Sequence, residues 1–159
     1  MVKVLFVCMG NICRSPTAQG VLAELLRREG LADRVHVDSA GTHAYHTGSA
    51  PDARAQAAAR RRGIDLGPQT ARQVQREDFE HFDYILAMDR ENLALLMEMC
   101  PERFGHKVGL LLDYAPHLGI EEVPDPYYGG SAGFDRVLDM VLEAAEGLVR
   151  EIRARHSLG

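Results

Sequence analysis

The chain has 159 residues, of which 46% are hydrophobic and 26% are charged, and its formal net charge is −5. This length suits one domain, residues 1–159, with a buried core, and no apolar run approaches the roughly 20 residues that span a membrane. The acidic charge argues against nucleic-acid binding, and three cysteines without a signal peptide favour a reducing cytoplasm over a disulfide scaffold.

Strand-like and helix-like segments alternate along the chain, as is typical of a parallel sheet with helices on both faces. The predicted elements, in chain order, are strand 3–7, helix 16–29, strand 34–39, loop 40–51, helix 52–62, strand 83–88, a helix that ends near 100, strand 107–112 and a long helix after 130. Asp89 is well placed as the N-cap of the helix after the third strand. Ligands of such sheets bind beyond the carboxyl ends of the strands, and Cys8 follows the first strand at this edge.

The most informative segment is residues 7–16, VCMGNICRSP, between the first strand and the first helix. The loop amides and the helix dipole form an anion-binding concavity, with Cys8 at one rim and Arg14 at the other. A cysteine is a strong nucleophile at neutral pH where a helix N-terminus and a guanidinium stabilise its thiolate, and the arginine fork grips two phosphate oxygens. The spacing therefore predicts transfer of a phosphoryl group onto Cys8.

Four other residues of this segment have predicted roles. Gly10 lets the loop curl towards the phosphate oxygens, and Asn11 tolerates left-handed backbone angles and can pin the loop through its amide. Ser15 can donate a hydrogen bond to the sulfur, which makes it a better leaving group in the second half-reaction. Cys13 is open to two interpretations: a small residue that faces the core, or a partner of Cys8 in a reversible disulfide that prevents over-oxidation.

A general acid is the remaining requirement, since phosphoryl transfer expels an alkoxide or a phenoxide. Asp125 is the best candidate, because Pro124 and Pro126 stiffen its loop and two tyrosines follow at once. The alternative is a turn aspartate that accepts a hydrogen bond from its own backbone, which is common in Asp-Pro sequences.

Together these motifs resemble the low-molecular-weight protein tyrosine phosphatases. The matching segments are residues 7–16, 38–42 (DSAGT), 71–74 (ARQV), 82–89 (FDYILAMD) and 125–128 (DPYY). The resemblance therefore extends over nearly the whole chain. It implies an α/β fold: a single three-layer, flavodoxin-like (doubly wound) domain with a four-stranded parallel sheet, in the strand order 2-1-3-4, flanked by helices.

For the chemistry, the resemblance implies that Cys8 is the nucleophile and forms a phosphocysteine, while Arg14 and the amides of residues 9–14 bind the phosphate. Asp125 then protonates the leaving tyrosine oxygen and later takes a proton from the hydrolytic water. The residues implied to bind phosphate or substrate are Met9, Gly10, Asn11, Ile12, Cys13, Ser15, Tyr45, Tyr127 and Tyr128. A supporting network is implied for Asn11, Ser15, Ser39, Gln69 and Asp89.

Two positions depart from the family pattern. Gln69 stands where the family usually has a histidine, and because an amide also donates and accepts, we expect a modest change in loop rigidity or thiol acidity without loss of activity. Tyr45 stands where animal members often have another aromatic residue, which leaves the preference among protein substrates open.

The resemblance also implies what the protein binds. An aromatic-sided slot suits a phosphorylated phenol, so the expected partners are phosphotyrosine-containing proteins or peptides, with inorganic phosphate as product. No metal, cofactor, nucleic acid or membrane is implied, and we expect a monomer or a weak dimer.

Two rival activities share this fold. Arsenate reductases use a similar loop but need two further redox cysteines after the third strand, where Met88 and Leu95 lie in this chain, and Cys100 alone does not complete that relay. Protein-arginine phosphatases typically have threonine at the position of Ile12, and the apolar Ile12 favours phosphotyrosine over a phosphoguanidinium.

A third alternative comes from a different class of protein. Cys8, Cys13, His43 and His46 can be interpreted as the ligands of a zinc ion in a non-catalytic binding module. The four residues between the cysteines barely fit the spacing of structural zinc pairs, and this interpretation leaves Arg14 unused.

Overall fold

The computed structural model describes residues 1–127 and 130–158, in which four strands form one parallel sheet with the order β2-β1-β3-β4. The strands are β1 (Val2–Cys8), β2 (Val35–Gly41), β3 (Tyr84–Ala87) and β4 (Val108–Leu110). The helices are α1 (Arg14–Arg28), α2 (Ala53–Arg60), α3 (Asp78–His81), α4 (Arg90–Met99) and α5 (Ser131–His156). The predicted α/β class and strand order are confirmed. None of these helices combines the length and the apolar character that a membrane crossing requires.

The predicted fourth strand is only partly a strand. β4 ends at Leu110, and Leu111–Tyr114 form a 3-10 helix that packs against α5. Leu110, Leu111 and Leu112 are all buried, so a run of apolar residues is compatible with a buried strand and with a buried 3-10 helix. Apolar character alone does not distinguish a strand from a 3-10 helix, so the hydrophobic pattern did not predict where β4 ends.

Both faces of β1 are buried, which explains why its sequence is a continuous apolar run. Val4 and Phe6 point to the larger core, which α1 and α5 cover, whereas Leu5 and Val7 point to a smaller core beneath α3 and α4. Cys8 continues the first of these alternating rows. The strand thereby delivers the sulfur to the carboxyl edge of the sheet.

Gly147 lies where α5 passes the backbone of Tyr114, so closely that a Cβ would stand 1.9 Å from the carbonyl oxygen of Tyr114. We expect Gly147→Ala to lower the free energy of unfolding by about 2–3 kcal/mol, because the backbone must shift to relieve this overlap. In an open helix the same change raises stability by roughly 0.5–1 kcal/mol. Urea unfolding measures the difference beside Gly133→Ala in the same helix, where the nearest atom to an added Cβ lies 3.4 Å away. Equal stabilities for the two variants would contradict the close approach.

Candidate active site

The connection between β1 and α1 opens a cavity at the carboxyl edge of the sheet. Cys8 ends β1 opposite Gly41 of β2, and α1 begins at Arg14. We term residues 8–14 the phosphate loop, after their predicted role. The cavity has a volume of about 310 Å³ and is lined by Cys8, Met9, Gly10, Ile12, Cys13, Arg14, Tyr45, His46, Asp125 and Tyr127. The structure thus brings together the three residues predicted to do the chemistry: Cys8, Arg14 and Asp125.

The phosphate loop takes its curvature at Asn11, whose φ of 57° lies in the left-handed region. Asparagine is one of the few residues besides glycine that adopt this conformation readily. The φ of Gly10 is not positive, and a Cβ there would stand 2.9 Å from Cδ2 of His46, while the predicted close approach of its backbone to phosphate oxygens stays a prediction. Glycine at this position therefore makes room for the His46 ring.

The sulfur of Cys8 accepts hydrogen bonds within the loop. The amide N–H of Asn11 donates to Sγ over 3.3 Å, and Oγ of Ser15 lies 3.0 Å from the same atom. Asn11 Nδ2 donates to Ser15 Oγ over 2.8 Å, so the Ser15 hydroxyl keeps its own proton for another acceptor. That acceptor is Sγ of a Cys8 thiolate, at 3.0 Å, or Ala40 O, at 3.5 Å. These donors stabilise a negative charge on sulfur.

Asn11 is the centre of a buried hydrogen-bond network behind the loop. Besides Ser15, its Nδ2 donates to Ser39 Oγ over 2.9 Å, and its Oδ1 accepts from the backbone N–H of Arg72 over 3.0 Å. The hydroxyl of Ser39 in turn donates to Gln19 Oε1 over 2.7 Å. Both polar ends of the buried amide are thereby satisfied, and the network holds the left-handed turn in place.

The glutamine in this network is Gln19, which the sequence interpretation missed. Gln69 instead donates from Nε2 to Pro16 O over 2.9 Å, at the start of α1, and its buried Oε1 has no hydrogen-bond partner among the residues described. The sequence does contain a pattern that indicates Gln19. This residue lies four positions after Ser15, so both side chains project from the same face of α1, towards β2.

Arg14 is held in place by groups from two distant parts of the chain. Its side chain is 4% exposed, and Nη1 donates to Asp89 Oδ2 over 2.7 Å and to Val123 O over 3.0 Å. Asp89 also caps α4 by accepting from the N–H of Asn92 over 2.8 Å, so one carboxylate serves both tasks. Burial opposes the charge of Arg14, but Cys8 and Asp89 raise the pKa of its guanidinium above the ordinary value. The guanidinium of Arg14 therefore stays positively charged.

Asp125 makes the turn contact of one alternative and also lines the cavity, where its role as general acid stays a prediction. Its Oδ1 accepts from the N–H of Tyr127 over 3.0 Å, as in an Asx turn, while its Oδ2 lies 3.7 Å from Nη2 of Arg14 at the cavity. The turn orients the carboxyl group, and one oxygen remains directed at the site. We term residues 124–127 the acid loop.

Aromatic rings surround the mouth of the cavity. Tyr45 is 71% exposed and stacks on His43, with ring centroids 5.0 Å apart, and the ring of His46 lies 6.4 Å from that of Tyr127. His46 was considered in the sequence only as a zinc ligand, because nothing local indicates that its ring packs over Gly10. Tyr128, which was predicted to line the slot, lies outside the described residues.

Cys13 lies beside the cavity but differs from Cys8 in its surroundings. Burial, together with the charges of Asp52 and Cys8, raises the pKa of the Cys13 thiol to about 12. It therefore stays protonated at neutral pH and does not compete as a nucleophile. A disulfide between Cys8 and Cys13 stays a prediction.

The geometry does not favour the arsenate-reductase or zinc alternatives. Cys100 lies at the end of α4 against the smaller core, on the opposite face of the sheet from Cys8, where its thiol donates to Pro101 O. Within residues 1–127 and 130–158, no three His, Cys, Asp or Glu side chains come close enough to hold a metal ion.

Comparisons with known proteins agree with the geometry. Residues 3–158 match the sequence model of the family described as low molecular weight phosphotyrosine protein phosphatase. The chain belongs to this family. The low molecular weight protein-tyrosine-phosphatase YfkJ of Bacillus subtilis is 39% identical over 158 residues, which are 99% of this chain and 100% of the relative.

Two solved structures of the phosphatase fold are informative. The protein tyrosine phosphatase from Entamoeba histolytica, with Hepes in its active site, has a TM-score of 0.93 and 40% identity and covers 100% of both chains. The Drosophila arginine phosphatase DARP has a TM-score of 0.89 and 34% identity over 96% of this chain and 98% of that one. The chain is thus a hydrolase of this phosphatase family, and the side chains at the cavity, not the fold, must choose the substrate.

Proposed function

We propose that this phosphatase hydrolyses phosphotyrosine in proteins, and aryl phosphate monoesters, through a phosphocysteine on Cys8. The observation that carries the proposal is the convergence of Cys8, Arg14 and Asp125 on one cavity, with the Asn11 N–H and the Ser15 hydroxyl within hydrogen-bond distance of the sulfur. A nucleophile, a fixed cation and a carboxyl group are the parts that phosphoryl transfer to sulfur requires.

In the first half-reaction the thiolate of Cys8 attacks phosphorus while the bond from phosphorus to the phenolic oxygen breaks. Asp125 gives its proton to that oxygen, so the tyrosine leaves as a neutral phenol. Arg14 and the amides of the phosphate loop bind the non-bridging oxygens and hold them as charge shifts from phosphate to leaving group.

In the second half-reaction water attacks the phosphorus of the phosphocysteine. The carboxylate of Asp125 takes a proton from the water, the bond from sulfur to phosphorus breaks, and inorganic phosphate is released. Sulfur departs as a thiolate, which the Ser15 hydroxyl and the Asn11 N–H stabilise at 3.0 Å and 3.3 Å. The proposed chemistry uses neither a metal nor a cofactor, because side chains and amides supply each group.

The shape and lining of the cavity support an aromatic substrate. Ile12 of the phosphate loop and Tyr127 of the acid loop present apolar surface to the cavity, and Tyr45 extends the wall outwards. An aryl ring gains from stacking and from apolar contact in such a slot, whereas a phosphoguanidinium brings N–H donors that need polar partners.

Peptides of one sequence that carry phosphotyrosine, phosphoarginine or phosphoserine test this substrate class. We expect kcat/KM for phosphotyrosine to exceed that for phosphoarginine by at least about tenfold, since an unpaired buried donor costs roughly 1–3 kcal/mol. Ile12→Thr should lower the ratio of kcat/KM for phosphotyrosine to that for phosphoarginine. Ile12→Val, which stays apolar, should leave this ratio unchanged. A preference of the wild-type enzyme for phosphoarginine would overturn the assignment.

We further propose that residues 1–159 act as a single catalytic domain in the cytoplasm, as a monomer or weak dimer, without nucleic-acid or membrane partners. The sheet supports the assignment of a single catalytic domain. The nucleophile, the arginine and its carboxylate all come from β1, β3 and the helices that follow these strands.

A further inference from the structure

We propose that Asp52 and Arg54 are positioning residues that fix the acid loop against the phosphate loop. The inference rests on the proposed function, because it assigns Arg54 an effect on proton transfer by Asp125. Neither residue touches the reacting atoms in this assignment. They act through a connected series of contacts between residues 12 and 125.

The series begins at the phosphate loop. The backbone N–H of Asp52 donates to the carbonyl of Ile12 over 2.8 Å, so the residue before α2 is tied to the loop that holds the phosphate. The side chain of Asp52 is the N-cap of α2 and accepts from the N–H of Arg54 over 2.8 Å. Asp52 therefore has a fixed position at its backbone and at its carboxylate.

Arg54 extends this fixed point to the acid loop. Its Nε and Nη2 each lie 3.1 Å from an oxygen of Asp52, in a two-point contact, and Nη2 also donates to Tyr127 O over 2.8 Å. The guanidinium carbon lies 5.5 Å from the ring centroid of Tyr127 and 4.9 Å from that of Phe134 in α5. A planar fork makes all these contacts at once, which the single ammonium of lysine does not.

The last step connects Tyr127 with the acid. The N–H of Tyr127 donates to Oδ1 of Asp125 over 3.0 Å, while its carbonyl accepts from Arg54. A shift of Tyr127 would therefore move the carboxyl group that serves the cavity. Proton transfer requires hydrogen-bond distance, so a small displacement of Asp125 slows the step that it catalyses.

The Asp52–Arg54 pair positions the acid loop and adds little to the stability of the whole protein. The side chain of Arg54 is 44% exposed, and an ion pair in contact with solvent adds little to the free energy of unfolding. The hydrogen bonds from Arg54 lower the pKa of Asp52, and the same contacts raise the pKa of Arg54. The pair therefore stays charged across the neutral range.

Two substitutions of Arg54 test the geometry. Arg54→Gln removes the charge and the fork, and Arg54→Lys keeps the charge but removes the fork. We expect both to slow phenol release in the first turnover of phenyl phosphate by about 5- to 20-fold, part of the roughly 10²–10⁴-fold that a general acid supplies. Release of p-nitrophenol should change less than about twofold, because a good leaving group needs little protonation. Phosphate inhibition should not change.

Arg60→Gln is the matched control, since Arg60 is an exposed arginine in the same helix. It should leave both rates unchanged. If Arg54→Lys behaves like the wild-type enzyme, the two-point contact is not needed and the proposal is overturned. Equal losses for phenyl phosphate and p-nitrophenyl phosphate would overturn it as well.

A double-mutant cycle with Asp125→Asn separates a positioning role from a merely structural one. If Arg54 acts through Asp125, Arg54→Gln should have almost no further effect in the Asp125→Asn background. Additive losses would overturn the proposal while leaving phosphocysteine chemistry intact. If wild-type enzyme, quenched in the first turnover, carries no phosphocysteine, the proposed function fails, and the role of Arg54 fails with it.

Discussion

Cys8→Ser should reduce turnover of aryl phosphates by about 10⁴- to 10⁶-fold, the range found when one member of a catalytic triad is removed. A serine hydroxyl is far less acidic than a thiol, and the donors of the phosphate loop do not suffice to generate an alkoxide at neutral pH. Rapid-quench experiments with labelled substrate should find a phosphoryl group on sulfur in the wild-type enzyme and none in the variant.

The same substitution should preserve phosphate binding. Arg14 stays fixed by Asp89 and Val123, and the loop amides are unaffected. A neutral hydroxyl also removes the repulsion between a thiolate and the phosphate dianion. We therefore expect calorimetry to show a phosphate affinity equal to or higher than that of the wild-type enzyme.

Cys100→Ser is the matched control for this experiment. Cys100 packs against the opposite face of the sheet, and its contact with Pro101 O can be made by a hydroxyl as well as by a thiol. Its turnover should equal that of the wild-type enzyme. Phosphoryl transfer that persists in Cys8→Ser, with the label on another residue, would assign the nucleophile elsewhere.

Local sequence patterns predicted the parts of the site that local physics determines. The apolar run of β1 followed by Cys8 and Arg14 placed both residues at the carboxyl edge of the sheet, because a strand, a loop and a helix N-terminus occur within one short segment. The capping role of Asp89 was likewise visible from its place between a strand and a helix. The structure adds that the same carboxylate orients Arg14, a contact across 75 positions that no local pattern contains.

The residues that sequence reasoning missed act through distant contacts. Gln19 joins the network only because α1 packs beside β2, and His46 reaches the cavity only because Gly10 leaves space for its ring. Gln69 was placed in the network by resemblance, but its amide faces the start of α1. An exposed arginine such as Arg54 is normally a solvated residue, and its link to Tyr127 spans 73 positions.

The acid loop carries the second large expected effect. Asp125→Asn should slow the first turnover of phenyl phosphate by about 10²- to 10³-fold, because the phenoxide must then leave without a proton. The loss for p-nitrophenyl phosphate should be several times smaller, since its leaving group is already a weak base. Across a series of substituted phenols, the rate should therefore depend more steeply on leaving-group pKa in the variant than in the wild-type enzyme.

Phosphate binding distinguishes this catalytic loss from a loss of affinity. Asp125 Oδ2 lies 3.7 Å from Arg14 Nη2, so the substitution removes a negative charge beside the phosphate site and should not weaken phosphate inhibition. Asp33→Asn, at an exposed aspartate between α1 and β2, controls for the loss of one charge and should change no rate. Since proton donation matters only in proportion to the basicity of the departing oxygen, equal losses on all phenols would deny Asp125 that role even if the enzyme became slow.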